Sequence, residues 1–447
     1  MEDALGRRAY DELQREGPGP QAAPAEDADR PRYHFLPEAG WMNDPVPVYA
    51  QGQYHIFFQY NPNRPYWGDI RWGHACSADL VRWRHLPVAL APTPGGPDAG
   101  GCWTGCVVEG DGSFHALYTG VEPQVQCLAS STDLLAWVKH AANPVLRAGQ
   151  RPAGVGDTFR DPCVWRQDGL WYMVLGADLP GGGGSPLLYR SRDLRGWEYL
   201  HPLYTGPAAR DECPDFFPLD GRHVLLSSRN HSAWAIGDFA GLRFTPAAGG
   251  LLDDGALYAV KTLRDPLGRR IAWGWVREGR SVPDQVRAGW SGVLSLPRVL
   301  RIQPDGTLGA EPPRELAALR GEAWEPRCPD LANTGEAAPA MVQVPASGCF
   351  ELQADFAALH AGTAVGLVVP GAGAMAWDRA SGAFAPGGGS LRIFVDRSVV
   401  EIFVDGRETA TRRAYRADGG GVGWVGFFVR GGRGALTRLQ IWDLAPR

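Results

Sequence analysis

A motif of the form Ser-x-Asp-Leu-x-x-Trp occurs three times in the first half of the chain. Its copies cover residues 77–83, 131–137 and 191–197, so they begin 54 and then 60 residues apart. The segments between them read as short strands joined by turns that contain glycine. A strand-rich repeat of about 50 residues is typical of a β-propeller, in which each blade is a four-stranded sheet. The repeat therefore predicts a propeller.

Five predicted β-hairpins follow the same rhythm. Each consists of a strand start, a strand, a turn with glycine and a second strand. The starts are Asp44, Thr104, Asp161, Glu212 and Tyr258, with intervals of 60, 57, 51 and 46 residues. We therefore predict five blades. Because the innermost strands of a propeller begin at one end of its central channel, we expect these five side chains to converge there.

The rest of the chain divides around the predicted propeller. We predict a helix over residues 3–16 within an N-terminal helix and linker (1–31), the five-bladed propeller (32–312), a second linker (313–327) with a short helix at 315–319, and a β-sandwich (328–447). The sandwich strands are predicted at 350–356, 364–369, 391–395, 399–404, 422–429 and 436–442. The predicted fold is thus all-β, a five-bladed β-propeller followed by a C-terminal β-sandwich.

Charge and hydropathy exclude several kinds of partner. The net charge is −5 and no basic stripe is present, which argues against nucleic acid. The sequence has no run of about 18 apolar residues, so no membrane span is predicted. The first eight residues lack the apolar core of a signal peptide. We therefore expect a cytoplasmic protein, or a secreted one if this chain is a processed form. The oligomeric state stays open.

The cysteine pattern argues against a metal site. None of the eight cysteines forms a Cys-x-x-Cys motif or has histidine at zinc-like spacing. We expect reduced and mostly buried thiols. Pairing of Cys328 with Cys349 in an oxidising compartment stays open.

Three of the five strand starts are acidic: Asp44, Asp161 and Glu212. Any one of them is more commonly a turn residue than a catalyst, because Asp-Pro dipeptides often open turns. Their coincidence at matching places of different repeats instead predicts a single site. Two carboxylates that face one bond can cleave a glycoside, one as nucleophile and one as proton donor. A third can stabilise the positively charged transition state.

Aromatic residues accompany these acids in the sequence. The chain has 17 tryptophans, more than a core usually needs, and aromatic faces stack on sugars. Trp41, Tyr60, Trp67 and Trp103 fit a sugar pocket. Any single tryptophan among them is more commonly part of a propeller core.

The acids lie within recognisable motifs. Residues 41–45 read Trp-Met-Asn-Asp-Pro, residues 159–162 read Phe-Arg-Asp-Pro, and residues 212–214 read Glu-Cys-Pro. Further motifs lie at 58–62, 72–75, 289–292 and 391–396. Together these motifs resemble glycoside hydrolase family 32, the invertases and fructan hydrolases, over nearly the whole chain from about residue 32. The family fold, a five-bladed propeller with a β-sandwich, agrees with the repeat count.

The resemblance implies a role for each acid. Asp44 would attack the anomeric carbon of a β-linked fructosyl unit, and Glu212 would protonate the leaving oxygen and later activate water. Asp161, with Arg160, would hold fructose hydroxyls. No metal or organic cofactor is expected. With the strand-start residues and the aromatic ones included, the predicted substrate-binding residues are Trp41, Asn43, Gln59, Trp67, Trp103, Thr104, Arg160 and Tyr258.

Two segments depart from the family pattern. The family usually continues the first motif with Asn-Gly, where this chain has Val46-Pro47. Proline removes an amide donor and stiffens the backbone, so we expect the loop behind Asp44 to differ from that of relatives. The usual Phe-Ser-Gly-Ser type of segment reads Trp-Thr-Gly-Cys at 103–106.

The predicted function is a retaining β-fructofuranosidase that acts on sucrose or short fructo-oligosaccharides. The same three carboxylates would serve a fructan exohydrolase for inulin or levan, or a fructosyltransferase. A sugar-binding or structural propeller without catalysis is the alternative outside the enzymes. The presence of all three carboxylates argues against it.

Overall fold

A computed structural model describes residues 27–179, 183–205, 212–332, 334–357, 359, 362–378, 383–384, 388–415, 422–432 and 434–445. The predicted N-terminal helix and most of its linker lie outside these residues. The last residues of that linker contact both halves of the molecule. The indole of Trp290 donates a hydrogen bond to Asp27 Oδ2 over 2.5 Å, and Arg397 Nη1 donates to the Asp27 carbonyl over 2.6 Å.

Five sheets follow one another along residues 40–311. Sheet 1 contains β1 to β4, which are Gly40–Ala50, Gln53–Asn61, Arg71–Ser77 and Arg84–Leu90. Sheet 2 contains β5 to β8, which are Cys102–Gly110, Ser113–Gly120, Val125–Ser131 and Val138–Lys139. Sheet 3 contains β9 to β12, which are Phe159–Gln167, Leu170–Leu179, Gly183–Ser191 and Glu198–Pro202. Sheet 4 contains β13 to β16, which are Glu212–Leu219, Arg222–Arg229, His231–Ala240 and Arg243–Leu251.

The fifth sheet also closes onto the first. Strands β17 to β22 are Leu257–Arg264, Arg270–Val276, Trp290–Ser291, Val293–Leu294, Arg298–Ile302 and Leu308–Glu311. Sheet 5 has the order β17-β18-β21-β22, with β20 also paired to β18. The short β19 instead lies parallel to β1, so the end of this region adds a strand to sheet 1.

The repeated Ser-x-Asp-Leu-x-x-Trp motif forms the same turn in sheets 1, 2 and 3, between the third and fourth strands. One carboxylate oxygen of Asp79, Asp133 or Asp193 accepts two backbone N–H bonds of 2.8–3.0 Å from residues two and three positions later. The leucine after each aspartate has a φ of 63–67° and is buried. The aspartate therefore stabilises a left-handed turn that directs an apolar side chain inward.

Apolar side chains fill the space between neighbouring sheets. Phe57 and Trp72 of sheet 1, for example, pack in one cluster with Tyr118 and Cys127 of sheet 2. All four side chains are almost fully buried. Burial of a large apolar side chain contributes about 1.5–3 kcal/mol. These contacts fix sheets 1 and 2 relative to each other.

The C-terminal region is a β-sandwich. Strands β23 to β32 are Arg320–Trp324, Ala340–Gln343, Cys349–Ala357, Ala364–Val369, Gly373–Asp378, Gly388–Asp396, Val399–Val404, Glu408–Arg413, Trp424–Arg430 and Ala435–Leu444. They form a six-stranded sheet, β23-β32-β25-β28-β29-β30, and a four-stranded sheet, β24-β31-β26-β27. One apolar cluster that includes Phe350, Ile393, Val365 and Phe427 fills the space between them.

A buried charged network joins the propeller to the sandwich. His34 contacts Asp396 Oδ2 through Nδ1 and Glu401 Oε1 through Nε2, both over 2.9 Å. Arg298 donates to Glu401 over 2.6 Å and to Asp253 over 2.9 Å. Burial alone lowers the pKa of His34, but its hydrogen bonds to the two carboxylates outweigh burial and raise the pKa to about 9. Protonated His34 therefore donates from both ring nitrogens at neutral pH.

The predicted all-β fold, with an N-terminal propeller and a C-terminal sandwich, is confirmed. The number of blades stays a prediction, with which the five sheets are compatible. The domain boundaries also stay predictions. Within the predicted linker 313–327, a 3₁₀ helix covers Arg314–Leu319, and β23 pairs with β32 of the six-stranded sheet. That part of the segment is therefore not a free linker.

Other elements differ from the predictions in detail. The six predicted sandwich strands are present within two or three residues, whereas β23, β24, β27 and β30 were not predicted. Nor were the 3₁₀ turn Ala148–Gln150 and the helix α1, Val282–Ala288, which begins after the N-cap Ser281 and ends at Gly289 with φ 72°. Every cysteine is a free thiol, mostly buried as expected, so Cys328 and Cys349 do not pair here. In the part of the chain described above, no helix is both long and apolar enough to cross a membrane.

Candidate active site

Each inner strand of the five sheets has an irregular register near its first residues. The irregularities lie at Asn43/Pro45, Cys102/Gly105, Arg160/Cys163, Glu212/Asp215 and Tyr258/Lys261. Asp44, Asp161, Cys213 and Ala259 have φ values of 25–62° at these points. A β-bulge leaves a residue unpaired and re-aims its side chain. The bulges therefore turn these inner-strand residues towards the common channel.

Prolines occupy bulges in three of these strands. Pro45, Pro162 and Pro214 each follow a residue with positive φ. Proline has no N–H for the ladder and is tolerated in sheets chiefly at edges and bulges. The Asp-Pro and Cys-Pro dipeptides therefore mark the bulges rather than ordinary turns.

The three acids do not occupy fully matching places, which corrects the sequence prediction. Asp44 and Asp161 are the left-handed bulge residues, whereas Glu212 lies one residue before the equivalent Cys213. Successive side chains of a strand point in different directions, so the one-residue offset changes exposure. The Glu212 side chain is 29% exposed and that of Asp161 is 5% exposed. The offset places one acid nearer solvent than the other two.

Asp44 is held through a single carboxylate oxygen. Gln59 Nε2 donates to Oδ2 over 2.7 Å, and Thr104 Oγ1 donates to the same atom over 2.6 Å. The Cys213 thiol lies 3.6 Å from it. In the described residues no hydrogen bond ends on Asp44 Oδ1. That oxygen is therefore available to a substrate while its partner is fixed.

Asp161 is fixed by the neighbouring sheets. Its backbone N–H donates to Thr119 Oγ1 over 3.0 Å, and its Oδ2 accepts the Cys213 N–H over 2.9 Å. The Cys213 sulfur lies 3.5 Å from Asp161 Oδ2 and 3.6 Å from Asp44 Oδ2. One thiol thus stands between two buried carboxylates.

Glu212 lies between a cation and a phenol. Arg160 Nη2 donates to Oε1 over 2.5 Å, and the Tyr258 hydroxyl donates to Oε2. Arg160 Nε also lies 3.8 Å from Asp161 Oδ2. Arg160 therefore links Glu212 to Asp161. Arg160 and Tyr258, both predicted to bind substrate, hold Glu212 in position.

Burial and neighbouring charges shift the pKa of the two buried aspartates. Burial, followed by the charge of Asp161, raises the pKa of Asp44 to about 7, although the Thr104 hydrogen bond lowers it. Burial also raises the pKa of Asp161, partly offset by Arg160. Burial raises the pKa of the Cys213 thiol well above its ordinary value, so this group stays neutral.

A cavity of about 730 Å³ contains the three acids. Trp67 and Trp103 form an edge-to-face pair on its wall with ring centroids 5.5 Å apart. The predicted residues that line it are Trp41, Asn43, Asp44, Gln59, Trp67, Trp103, Arg160, Asp161, Glu212 and Tyr258. Thr104 is fully buried behind this wall, where its hydroxyl donates a hydrogen bond to Asp44. Tyr60 does not line it.

The sequence prediction missed eight lining residues: Gln124, Asp157, Thr158, Cys213, Trp275, Glu278, Val282 and Gln285. One of them carried a usable signal. Trp275 pairs across sheet 5 with Tyr258, as Gln59 pairs across sheet 1 with Asn43. The residue across the hairpin from a strand start can therefore be located from the sequence as a candidate for the cavity wall. Val282 and Gln285 belong to the unpredicted helix α1 and had no such signal.

Residues of the sandwich contact the rim of the cavity at Glu278, which itself belongs to the propeller region. This carboxylate accepts hydrogen bonds from Arg280 over 2.9 Å, from Arg413 over 3.2 Å and from the Tyr415 hydroxyl. Burial by itself raises the pKa of Glu278, but Arg413 and Arg280 bring it well below its ordinary range. Since Arg413 ends β30, the second domain helps to fix the rim near α1.

The departure at Val46-Pro47 lies in a strand, which corrects the expectation of an altered loop. Val46 pairs with Phe57 and Pro47 with Ile56 in the body of β1. Val46 is buried in the core between sheets 1 and 2. These residues lie beyond the bulge and do not line the cavity around Asp44.

The chemistry of the site is that of paired carboxylates. Among the residues with described positions, no group of three or more His, Cys, Asp and Glu side chains is arranged to hold a metal ion. Asp44 offers a free oxygen at a fixed position, and Glu212 offers a carboxyl group that solvent can reach. This combination can attack a carbon on one side of a bond and exchange protons on the other.

Comparison with known proteins identifies the family. The family description "Glycosyl hydrolases family 32 N-terminal domain" matches residues 34–312, and "Glycosyl hydrolases family 32 C terminal" matches residues 336–443. A raffinose invertase from Escherichia coli is 33% identical, with 93% of this chain and 95% of that protein aligned. The cell wall isozyme of beta-fructofuranosidase from Zea mays is 37% identical over 66% of this chain, which spans 57% of that relative's length.

The fold has a close structural counterpart. Fructan 1-exohydrolase IIa from Cichorium intybus superposes with a TM-score of 0.83 at 27% identity, over 95% of this chain and 98% of that one. Together, the two family matches cover most of the propeller region and most of the sandwich. The near-full-length relative exceeds 30% identity. This chain therefore belongs to glycosyl hydrolase family 32.

Proposed function

We propose that this protein hydrolyses terminal β-D-fructofuranosyl linkages of sucrose or short fructo-oligosaccharides with retention of configuration. The observation that carries the proposal is the convergence of Asp44, Asp161 and Glu212 in one cavity, each in a different environment. The names of the relatives support the substrate class, since they include a raffinose invertase and a beta-fructofuranosidase.

In the first step, Asp44 Oδ1 attacks the anomeric carbon of the fructosyl unit. The bond from that carbon to the leaving oxygen breaks, and Glu212 transfers its proton to this oxygen. The hydrogen bonds from Gln59 and Thr104 to Oδ2 orient the nucleophile without occupying the attacking atom. The result is a fructosyl ester of Asp44 and a free alcohol.

In the second step, water replaces the leaving group. Glu212, now ionised, takes a proton from water as the oxygen attacks the same carbon, and the bond to Asp44 breaks. Two inversions at one carbon give net retention. Asp161 accepts hydrogen bonds from fructose hydroxyls and stabilises the positive charge that develops on the sugar.

The walls of the cavity supply sugar recognition. Trp67 and Trp103 offer apolar faces, and Trp275 lies 6.2 Å from Trp41 and 6.4 Å from Tyr258, measured between ring centroids. Aromatic faces combined with a few polar groups are common in sugar sites. The overlap of these features with the three carboxylates supports a fructoside as substrate.

Product analysis tests the proposal. The protein is incubated with sucrose, raffinose, inulin and levan, at low and high concentrations of sucrose. Free fructose from sucrose at both concentrations supports hydrolysis, and early NMR spectra should show fructose released with the β configuration. Growing oligomers at high sucrose would instead indicate a fructosyltransferase, and release from inulin or levan alone an exohydrolase. No reaction with any of the four sugars would refute an enzymatic role.

Variants test the individual roles. Asp44→Asn should nearly abolish turnover in a folded protein. Glu212→Gln should slow the hydrolysis of sucrose far more than that of a fructoside with an activated leaving group, because only the leaving oxygen of sucrose needs a proton. Asp161→Ala should remove several kcal/mol of transition-state stabilisation, which would lower kcat/KM about a thousandfold. Equal losses on both substrates would remove Glu212 from the acid role, and an unchanged kcat/KM would remove Asp161 from the site.

A further inference from the structure

A second cavity lies farther along the same five inner strands. It has a volume of about 570 Å³, and none of its described lining residues also lines the cavity around Asp44. Its walls include residues 46–49 of β1, 105–107 of β5, 163–167 of β9, 215–218 of β13 and 261–264 of β17. Since all five strands continue from the first cavity into this one, it occupies the other end of the central channel.

The walls of this second cavity carry more positive than negative charge. Among the described residues of its lining, the cations are Arg166, Lys261, Arg264 and Arg270, and the one carboxylate is Asp215. Asp215 is already engaged, because Thr262 Oγ1 donates to it over 2.6 Å and the Cys163 thiol lies 3.3 Å away. The described lining residues therefore carry an excess of three positive charges, of which Arg166 is paired with Asp111, an acid outside this lining, over 3.6 Å.

Lys261 is the deepest of these cations. It is only 3% exposed, and its ammonium group donates to the Pro214 carbonyl over 2.7 Å. Burial lowers the pKa of Lys261, but nearby acidic groups, Cys163 and Asp215 first among them, outweigh burial and raise it. The ammonium group therefore stays charged. It has three donors, of which one is used by Pro214.

Arg270 lines the same cavity and has an incomplete set of partners. The guanidinium stacks on Phe217, 4.4 Å from the ring centroid, and Nη1 makes a long 3.4 Å bond to Thr262 Oγ1. Its Nε is buried and has no hydrogen-bond partner among the residues that the structure describes. Within the described parts of the chain, neither Arg270 nor Lys261 comes within 4 Å of a carboxylate. Buried cations are normally paired, yet neither Lys261, which is buried, nor Arg270, which is half-buried, has such an anion.

We propose that the second cavity binds an oxyanion, a phosphate or carboxylate group of a small molecule, between Lys261 and Arg270. A planar guanidinium fork and an ammonium group together match the oxygen atoms of such an anion. The volume suits a small metabolite better than a lone ion. Arg264 and Arg166 line the same cavity and add positive charge that attracts the anion. The proposal is independent of the fructosidase activity.

Binding measurements test the site directly. The full chain is titrated calorimetrically with inorganic phosphate, acetate and citrate, and sodium chloride keeps the ionic strength constant. We expect saturable binding of at least one anion with one site per chain. Arg270→Gln should weaken that binding at least tenfold. Arg301→Gln is the matched control, because Arg301 is an exposed arginine on β21 that does not line the cavity, and its affinity should stay unchanged.

Localisation of a heavy oxyanion keeps the proposal testable even if Arg270→Gln fails to fold. Crystals of the unmodified chain soaked in selenate should show an anomalous peak between Lys261 Nζ and the guanidinium of Arg270. Stronger phosphate than carboxylate binding would identify a phosphorylated ligand, and the reverse order would identify a carboxylate. The absence of saturable binding, an equal affinity in folded Arg270→Gln, or a selenate peak elsewhere only would overturn the proposal.

Discussion

Replacement of Asp44 by asparagine should stabilise the folded protein while it removes activity. Asp44 is buried, and burial together with the charge of Asp161 raises its pKa from 3.8 to about 7. Asparagine has nearly the shape of a protonated aspartate and keeps a carbonyl that can accept the hydrogen bonds from Gln59 and Thr104. The substitution therefore removes chiefly the cost of holding a charge in this place.

The sign and size of the effect follow from linkage. Because the folded pKa lies above the unfolded one, the unfolded chain releases the proton of Asp44 more readily, and stability is lost as pH rises from 3.8 to about 7. A tenfold difference in acidity between the folded and unfolded chains corresponds to about 1.4 kcal/mol. The asparagine variant should thus gain about 2 kcal/mol at pH 5 and about 4 kcal/mol at pH 8, without further gain above that.

Denaturant unfolding followed by tryptophan fluorescence measures this difference at pH 5 and pH 8. Asp168→Asn is a suitable control, because Asp168 is an exposed residue with φ 51° in the β9–β10 turn, a conformation that asparagine also adopts. It should change stability by less than about 0.5 kcal/mol at either pH. A gain for Asp44→Asn that is equal at the two pH values, or no gain at pH 8, would refute the reasoning.

Three further substitutions test the supports of the site. Thr104→Ala removes the hydrogen bond that lowers the pKa of Asp44, so the acid limb of the kcat/KM profile should move to higher pH; an unmoved limb would contradict this role. His34→Gln should cost about 3 kcal/mol at pH 6, since the raised histidine pKa gives stability that is full below 6.5 and lost through about 9. At pH 10 the thermal midpoint of the variant should therefore approach that of the unmodified protein. A difference in midpoint that stays constant with pH would count against the charged contacts of His34. Gly292→Ala would place a Cβ 1.9 Å from the Met42 carbonyl at φ 82°, so activity should fall with the displacement of β1, and full activity would refute that packing.

The repeated turns and hairpins could be predicted because their determinants are local. The aspartate of each Ser-x-Asp-Leu-x-x-Trp turn binds backbone N–H groups two and three residues later, so sequence spacing alone reveals it. The same holds for the glycines that close the hairpins. The three acids were found together because each lies at the start of an inner strand, although Thr104 supports Asp44 from behind the wall instead of lining the cavity.

The remainder depends on contacts between distant residues. Spacing could not show that Glu212 precedes its bulge while Asp44 and Asp161 lie within theirs, because the register shift is set by pairing with the next strand. Glu278 gave no signal either, since its partners Arg413 and Tyr415 lie more than 130 residues away. Their distance along the chain hides the contribution of the sandwich to the rim.

The buried network around His34 limits how this enzyme can be divided or recombined. A chain cut after residue 312 would keep His34 and Arg298 but lose Asp396 and Glu401. Buried His34 would then lose both of its counter-charges, and Arg298 would keep only Asp253. The propeller is therefore not a portable catalytic module. A sandwich taken from a relative could replace the present one only if it brought both carboxylates to the same two positions. The interface therefore restricts which sandwich domains can be combined with this propeller.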